Sequence, residues 1–365
     1  MSAGRRRPCP SARSVPIARA TLSEVGGSVR PCVVIRRIAS RLAETPIATA
    51  HLIAQEQPDR IFSLRERRQL GIKYVRTAGP TELPSTLAAA AAKDALGEDE
   101  PETIELLATA TTTPSDFEMW SLPAKVAQLI GATRAACVGF AETGCAAPFA
   151  ALHLMRPTML AKEGPRRAML VGAAVTPGRH FFAPETIVGD GAGAMLLERV
   201  SKPPPGSLRI VRSDFASDCA LVDAFGCEAG AARLRDQRQL TPDDYTLRPK
   251  DAQQFRRLGE RGAAAMSGHV DASLKRAGWE RKDLRWLVTD NVAMQVALEV
   301  GLKLALGADR IFTKNCAQVG HLWGMELFAN LSTVVNEMGV SPGDRLASVG
   351  FGLGEHYGVL LLEAC

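Results

Sequence analysis

The 365-residue chain predicts an α/β fold built on a largely parallel sheet, and three observations carry that prediction. Apolar strand-like runs alternate with segments of helical periodicity along nearly the whole chain, as βαβ units do. Each half closes on the same device, a glycine turn running into an apolar strand that ends in Glu: GDGAGAMLLE (189–198) and GLGEHYGVLLLE (352–363). That echo suggests an internal duplication. Lastly, the small apolar run Ala135–Phe140 reads as a buried strand that passes through Glu142-Thr143-Gly144 into a helix carrying Phe149, Leu152 and Met155 on one face.

Cys145 therefore stands at a helix start, where unsatisfied N–H groups and the positive end of the helix dipole favour thiolate over thiol. This is the chemistry of a nucleophile, although most cysteines in such surroundings are small buried hydrophobes.

Apolar residues make up 46% of the chain and charged residues 23%, a soluble globular composition. Eight cysteines, without a C-x-x-C pair or regular spacing, argue against zinc or a disulfide framework and read as reduced cytoplasmic thiols. The net charge of +5 is local. Residues 1–31 hold six arginines and one glutamate, leaving 38 basic and 38 acidic residues in the body. No nucleic-acid partner is expected from a neutral body. Residues 1–32 read as a disordered basic extension, with a transit peptide or an upstream start codon as alternatives. No apolar run reaches the roughly 18 residues of a membrane span.

In order, Ile47–Ala54 reads as a helix and Arg60–Tyr74 as a charged amphipathic stretch with a solvated helix face. Ser85 caps an alanine-rich helix through Leu96. A strand at Ile104–Ala108 and a helix at Glu118–Ile130 lead to the Cys145 segment, and Ala168–Gly172 is the next strand. Pro203-Pro204-Pro205 divides the chain into halves at 33–202 and 203–365. Leu208–Val211 is a strand, Thr241–Lys250 a polar loop, and Asp251–Ala277 a helical region broken near Gly259 and Gly262. Leu284–Thr289 is a strand ending at Asp290-Asn291, followed by a helix to Leu306. Arg310–Phe312 is a short strand, and a helix with His321 near its start precedes two closing strands, Arg345–Val349 and Tyr357–Glu363.

Four stretches in this order, IGATRAACVGFAETGCAAP, GDGAGAMLLE, LRWLVTDN and GFGLGEHYG, resemble the thiolase-fold condensing enzymes of the ketoacyl-acyl-carrier-protein synthase III type. The resemblance spans about residues 33–365. It implies two duplicated α/β halves in a five-layered αβαβα arrangement, a homodimer, and a cysteine that takes an acyl group from acyl-CoA or a phosphopantetheinyl acyl-carrier protein, with no permanently bound cofactor and no metal. Carried over by position, the nucleophile is Cys145. The oxyanion hole is the backbone N–H of Cys145 and Leu353, flanked by Gly352 and Gly354.

Two positions depart from the family pattern. The synthases carry a histidine after W-L-V, where this chain has Asp290, and an asparagine after a later glycine, where it has His321. Asn291-Val292 and Gly320-His321 with Phe328-Ala329-Asn330-Leu331 resemble a divergent, secondary-metabolism-like branch, and Asn291 is placed among the acyl or pantetheine contacts. Decarboxylative condensation needs two neutral or cationic donors on the thioester oxygen, and an ionised Asp290 would repel the enolate. A carboxylate beside an imidazole instead steadies imidazolium. The expectation is that Cys145 holds the acyl group, His321 deprotonates a hydroxyl or amine of a small-molecule acceptor, and Asp290 steadies His321; alternatively Asp290 caps the next helix. A Claisen-condensing ketosynthase and a non-catalytic partner subunit are the competing readings. The tryptophan that stacks on adenine in the synthases is absent, while Arg65 and Arg68 remain as contacts for phosphopantetheine or an acidic carrier helix.

Overall fold

The computed structural model describes residues 30–59, 62–182, 186–227 and 241–365; the basic extension expected over residues 1–32 lies almost wholly outside them. The first half runs β1 (Cys32–Leu42), β2 (Thr45–Ala48), α1 (Thr49–Glu56), α2 (Leu64–Leu70), β3 (Tyr74–Thr77), α3 (Pro84–Leu96), β4 (Leu106–Ala110), α4 (Leu122–Ile130), β5 (Ala136–Phe140), α5 (Ala147–Leu160), β6 (Arg167–Ala174), β7 (Phe181–Phe182), β8 (Thr186–Ile187) and β9 (Gly191–Val200). The second runs β10 (Leu208–Ser217), α6 (Ala252–Ala277), β11 (Leu284–Thr289), α7 (Met294–Lys303), β12 (Ile311–Phe312), α8 (Cys316–Val319), α9 (Glu326–Glu337), β13 (Arg345–Gly352) and β14 (His356–Ala364).

The duplication expected from the glycine turns is visible in strand order. One ten-stranded ladder reads β12-β11-β13-β14-β10-β1-β9-β6-β4-β5. In the first half β4 lies parallel to β5 and β6, with β9 antiparallel between β6 and β1. In the second, β11 lies parallel to β12 and β13, with β14 antiparallel between β13 and β10. The halves meet where β1 pairs β10 at Val34↔Arg209 and Ile35↔Leu208.

Alternation along the strands builds the layers, because successive side chains point to opposite faces. Met195 and Leu197 of β9 and Leu360 and Leu362 of β14 pack with α5 and α9 in a central core. The alternate residue Leu196 packs under α3 and α4. Leu361 packs under α6 and α7. This is the five-layered thiolase arrangement, with two helices buried between sheet halves and a helical layer outside each. Close approach explains the repeated glycines: a Cβ on Gly193 would stand 2.2 Å from Phe328 Cβ of α9, and one on Gly358 2.1 Å from Phe149 Cβ of α5.

Several local expectations are corrected. The stretch 45–48 forms a strand paired with β3, and helix begins only at Thr49. Leu83, not Ser85, is the N-cap of α3; the Ser85 hydroxyl instead donates to Asp116 at 2.5 Å. Helix α6 runs unbroken through Gly259 and Gly262. His321 precedes α9 rather than opening it. Strand β5, expected to be buried, is exposed over Ala136–Gly139 because it ends the ladder. Among the described residues no helix is long and apolar enough to cross a membrane, and no group of three or more His, Cys, Asp or Glu is arranged to hold a metal ion.

Candidate active site

Strand β5 delivers the chain through a short 3-10 turn, Gly144–Ala146, into α5, so Cys145 stands in the middle of that turn, one residue before the N-cap-to-helix junction at Ala146–Ala147. It is 6% exposed. His321 arrives on the loop between α8 and α9, far away in sequence, and its Nε2 lies 3.1 Å from the Cys145 sulfur. The backbone around the histidine is clamped from both sides: its N–H donates to Ile187 O at 3.1 Å and its carbonyl accepts Gly189 N–H at 2.8 Å.

The histidine loop is bent by three left-handed residues, Gly320, Trp323 and Gly324. A left-handed conformation at a tryptophan is costly and persists only where its surroundings over-determine it. Here the Trp323 carbonyl lies 2.8 Å from the Thr112 hydroxyl, which is also 2.9 Å from the Gly144 carbonyl. One hydroxyl thus ties the histidine loop to the cysteine loop. Gly324 presses on the nucleophile itself, since a Cβ there would stand 2.1 Å from the Cys145 carbonyl oxygen.

The carboxylate on the imidazole is Glu326, not Asp290. His321 Nδ1 lies 2.5 Å from Glu326 Oε1. Glu326 is fully buried, the first residue of α9, and accepts three further N–H groups: Asn291 at 3.1 Å, Leu322 at 3.1 Å and Gly324 at 2.8 Å. A carboxylate with four donors is an acceptor throughout, so Nδ1 carries its proton and Nε2 is left to face sulfur. Burial opposes the charge on Glu326, but the facing imidazole and these N–H groups hold it below the ordinary carboxylate range. Burial likewise opposes a charged ring, yet the Glu326 carboxylate and the Cys145 sulfur hold His321 well above the usual histidine range. The Cys145 thiol is pushed up by burial while His321 pulls it down.

Asp290 lines the same cavity but makes a different contact: its Oδ2 accepts the Phe351 N–H at 2.6 Å. It does not cap α7, whose N-cap is Ala293. The residue directly follows β11, which lies beside β13, and its carboxyl meets the β13 backbone rather than the ring. Burial and the neighbouring Glu326 charge push Asp290 well above the ordinary carboxylate range, against the weaker pull of the Phe351 N–H and His321. The two carboxyl groups of one site are thereby pushed in opposite directions, Glu326 toward its charged form and Asp290 toward its protonated one.

The other expected residues divide. Leu353 lines the cavity with Cys145 and His321. A Cβ on Gly352 would fall 2.7 Å from Ala146 N, and one on Gly144 2.3 Å from Leu353 N, so the terminal glycine loop lies against the cysteine turn. Gly354, left-handed, abuts His356 instead. Asn291 does not line the cavity; its side chain exchanges hydrogen bonds with Asn330 and its N–H supports Glu326. Arg65 and Arg68 project from α2 into a groove shared with Leu298 and Leu302 of α7. Glu299 borders both this groove and the Cys145 cavity. The GDGAGA turn is structural: buried Asp190 accepts the N–H groups of Ala78 and Thr176, each at 2.8 Å.

Glu326 and Thr112 escape sequence reasoning. Glu326 had one signal, a lone acid inside the apolar run HLWGMELFANL, five residues past His321.

Comparison with known proteins places these features. Residues 274–364 match the family model of the 3-oxoacyl-[acyl-carrier-protein (ACP)] synthase III C terminal. The beta-ketoacyl-[acyl-carrier-protein] synthase III of Prochlorococcus marinus (strain MIT 9313) is 25% identical over 304 residues, 81% of this chain and 86% of the relative. Among solved structures, 3-oxoacyl-(acyl carrier protein) synthase III from Pseudomonas aeruginosa PAO1 superposes with a TM-score of 0.76 at 21% identity, covering 91% of this chain and 98% of its own. ChlB3, described as an acyltransferase, gives a TM-score of 0.75 at 20% identity, with 91% and 98% covered.

Proposed function

We propose, because residues 274–364 match the synthase III C-terminal model and the curated relatives that align with about four fifths of the chain are ketoacyl-acyl-carrier-protein synthases III, enzymes of acyl-carrier-protein or acyl-CoA thioesters, that it loads an acyl group onto Cys145 and passes it to a hydroxyl or amine. The observation that carries this reading is the buried line Cys145–His321–Glu326, a thiol, a base and an orienting carboxylate. Nε2 holds the proton given up by the thiol, as imidazolium partnered by Glu326, while sulfur attacks the thioester carbonyl. The oxyanion is held by the N–H groups of Cys145 and Leu353. The departing pantetheine thiolate takes the proton back from Nε2. An acceptor O–H or N–H then loses its proton to Nε2 and attacks the acyl-cysteine, Cys145 leaves as thiolate, and His321 reprotonates it. Glu326 takes the steadying part expected of Asp290.

A second reading is favoured by Asp290. Asp290 lines the cavity with His321, and burial beside Glu326 favours its protonated form; a protonated carboxyl is a donor rather than a charge that repels an enolate, so that form and the Glu326-paired imidazolium would supply the two donors of Claisen condensation. Incubation with labelled malonyl thioester and an acyl donor separates the two. Acyl transfer leaves the label in malonyl thioester and yields ester or amide with added acceptor; rapid release of labelled CO₂ with a lengthened β-ketoacyl product overturns it in favour of condensation. A non-catalytic partner subunit has no use for a buried thiol–imidazole–carboxylate line.

Arg65 and Arg68 are assigned to the phosphopantetheine or the acidic surface of a carrier protein, a placement supported by Glu299 joining their groove to the cavity. A homodimer is proposed through β5, the free end of the ladder, where Val138 is exposed. Phe117, Met119 and Trp120, in the segment between β4 and α4, are exposed large apolar side chains as well, of the kind a partner surface covers.

A further inference from the structure

The cavity at Cys145 encloses about 200 Å³, and one wall is the inward stripe of α6: Phe255, Leu258, Gly259, Gly262, Ala263 and Met266. These positions follow helical spacing, and in an ordinary amphipathic helix all of them carry side chains that fill the space they face. Here the middle of the stripe is missing. A Cβ on Gly259 would meet nothing within 4 Å, and one on Gly262 would meet only the tip of Leu258 at 3.8 Å. Neither glycine has a positive φ, so the backbone does not require them. Glycine in a helix interior is less stable than alanine. Gly262 is half-buried and Gly259 is exposed at the mouth, and both line the cavity that Cys145, Val296, Trp323 and Phe351 also line, so side chains added there would narrow it.

We propose that the Gly259–Gly262 notch seats a bulky apolar substituent of the substrate, an aryl or branched alkyl group, next to Cys145. The proposal rests on the acyl-transfer reading for the identity of the substrate. An apolar cavity of about 150 Å³ takes up benzene, so the volume here suits a ring with a short tether. The substituent belongs either to the acyl group or to the acceptor, and the chemistry that recognises it is the same.

The test compares wild type with Gly262→Leu, Gly259→Phe and the double alanine variant, locating modified Cys145 by peptide mass. Alanines at both sites favour the helix, so the double variant keeps its fold and its melting midpoint rises. Alkylation by iodoacetanilide relative to iodoacetamide reports the notch without any acyl chemistry. The expected result is a tenfold or greater fall in that ratio in the large variants and about threefold in the double alanine, with iodoacetamide rates kept. Phenylacetyl against acetyl thioester loading then falls in parallel if the acyl group fills the notch. If the acceptor fills it, loading is unchanged and turnover of phenethylamine falls relative to ethanolamine. Unchanged ratios in every arm overturn the proposal. Alkylation of Cys145 without thioester loading overturns the acyl-transfer reading and leaves the notch standing, and resistance to both overturns the two together.

Discussion

Glu326 holds its charge in a fully buried position because four donors converge on two oxygens, and everything asked of His321 follows from that charge. Replacing it by Gln keeps the shape and removes the charge. Loading of Cys145 is expected to slow by about 10²- to 10⁴-fold, the span general acid–base groups contribute. Because the imidazolium loses its partner, the pH profile of Cys145 alkylation should move to higher pH, and a profile at the wild-type position would refute the assignment. Asp290 behaves oppositely. Its folded-state pKa is raised, so the native protein holds a proton that the unfolded chain releases above about pH 3.9, and stability drains away as pH rises between the two values. Asp290→Asn keeps an acceptor for Phe351 N–H and needs no proton. Denaturant melts should show it matching wild type near pH 3 and exceeding it increasingly toward neutral pH. Cys145 and His321 were legible because each stands in a motif that a short window contains. The pairing with Glu326 was not, since it depends on three left-handed residues folding the chain back over five positions, and Asp290 offered a carboxylate at a more familiar place.

Most helices and strands follow from periodicity, and the misses have physical causes. Strand β1 escaped notice because Arg36, Arg37 and Arg41 interrupt its apolar run. Arg36 pairs with Glu198 at 3.3 Å on the neighbouring strand, and Arg41 with Asp94 of α3, tertiary partners that the sequence does not advertise. Glycines misled in the opposite sense at α6, where they leave the helix intact and remove only side chains. The loop 320–325 is the element on which the site's geometry rests. Gly324→Ala puts a Cβ against the Cys145 carbonyl in a left-handed conformation, and should cost roughly 1–3 kcal/mol in a urea melt together with most acyl loading. Normal loading in a folded Gly324→Ala protein would show that the loop tolerates displacement.

The whole molecule is two copies of one plan, and the plan was readable because each copy ends in the same glycine turn and strand. What the turns do could not be read: they let Phe328 and Phe149 press against strand backbone from the central layer, a contact between residues more than a hundred apart. The ladder ends in a short buried strand, β12, at one side and in the exposed β5 at the other. Pairing of two β5 strands predicts a mass twice the 39.0 kDa of the chain by light scattering, and Val138→Lys, a charge on that edge, should halve it. A wild-type monomer at micromolar concentration would rule that pairing out.

The two charged regions of the molecule differ in their access to counter-ions. The arginines of α2 stand in open solvent, where electrostatic attraction fades over about 10 Å at 0.1 M ionic strength, while the imidazole and its acid are buried and much less screened. Delivery of a carrier protein and the reactivity of the sulfur should therefore respond separately to potassium chloride: encounter weakens as the concentration climbs, and the intrinsic chemistry, once a small thioester has diffused in, proceeds at the same pace.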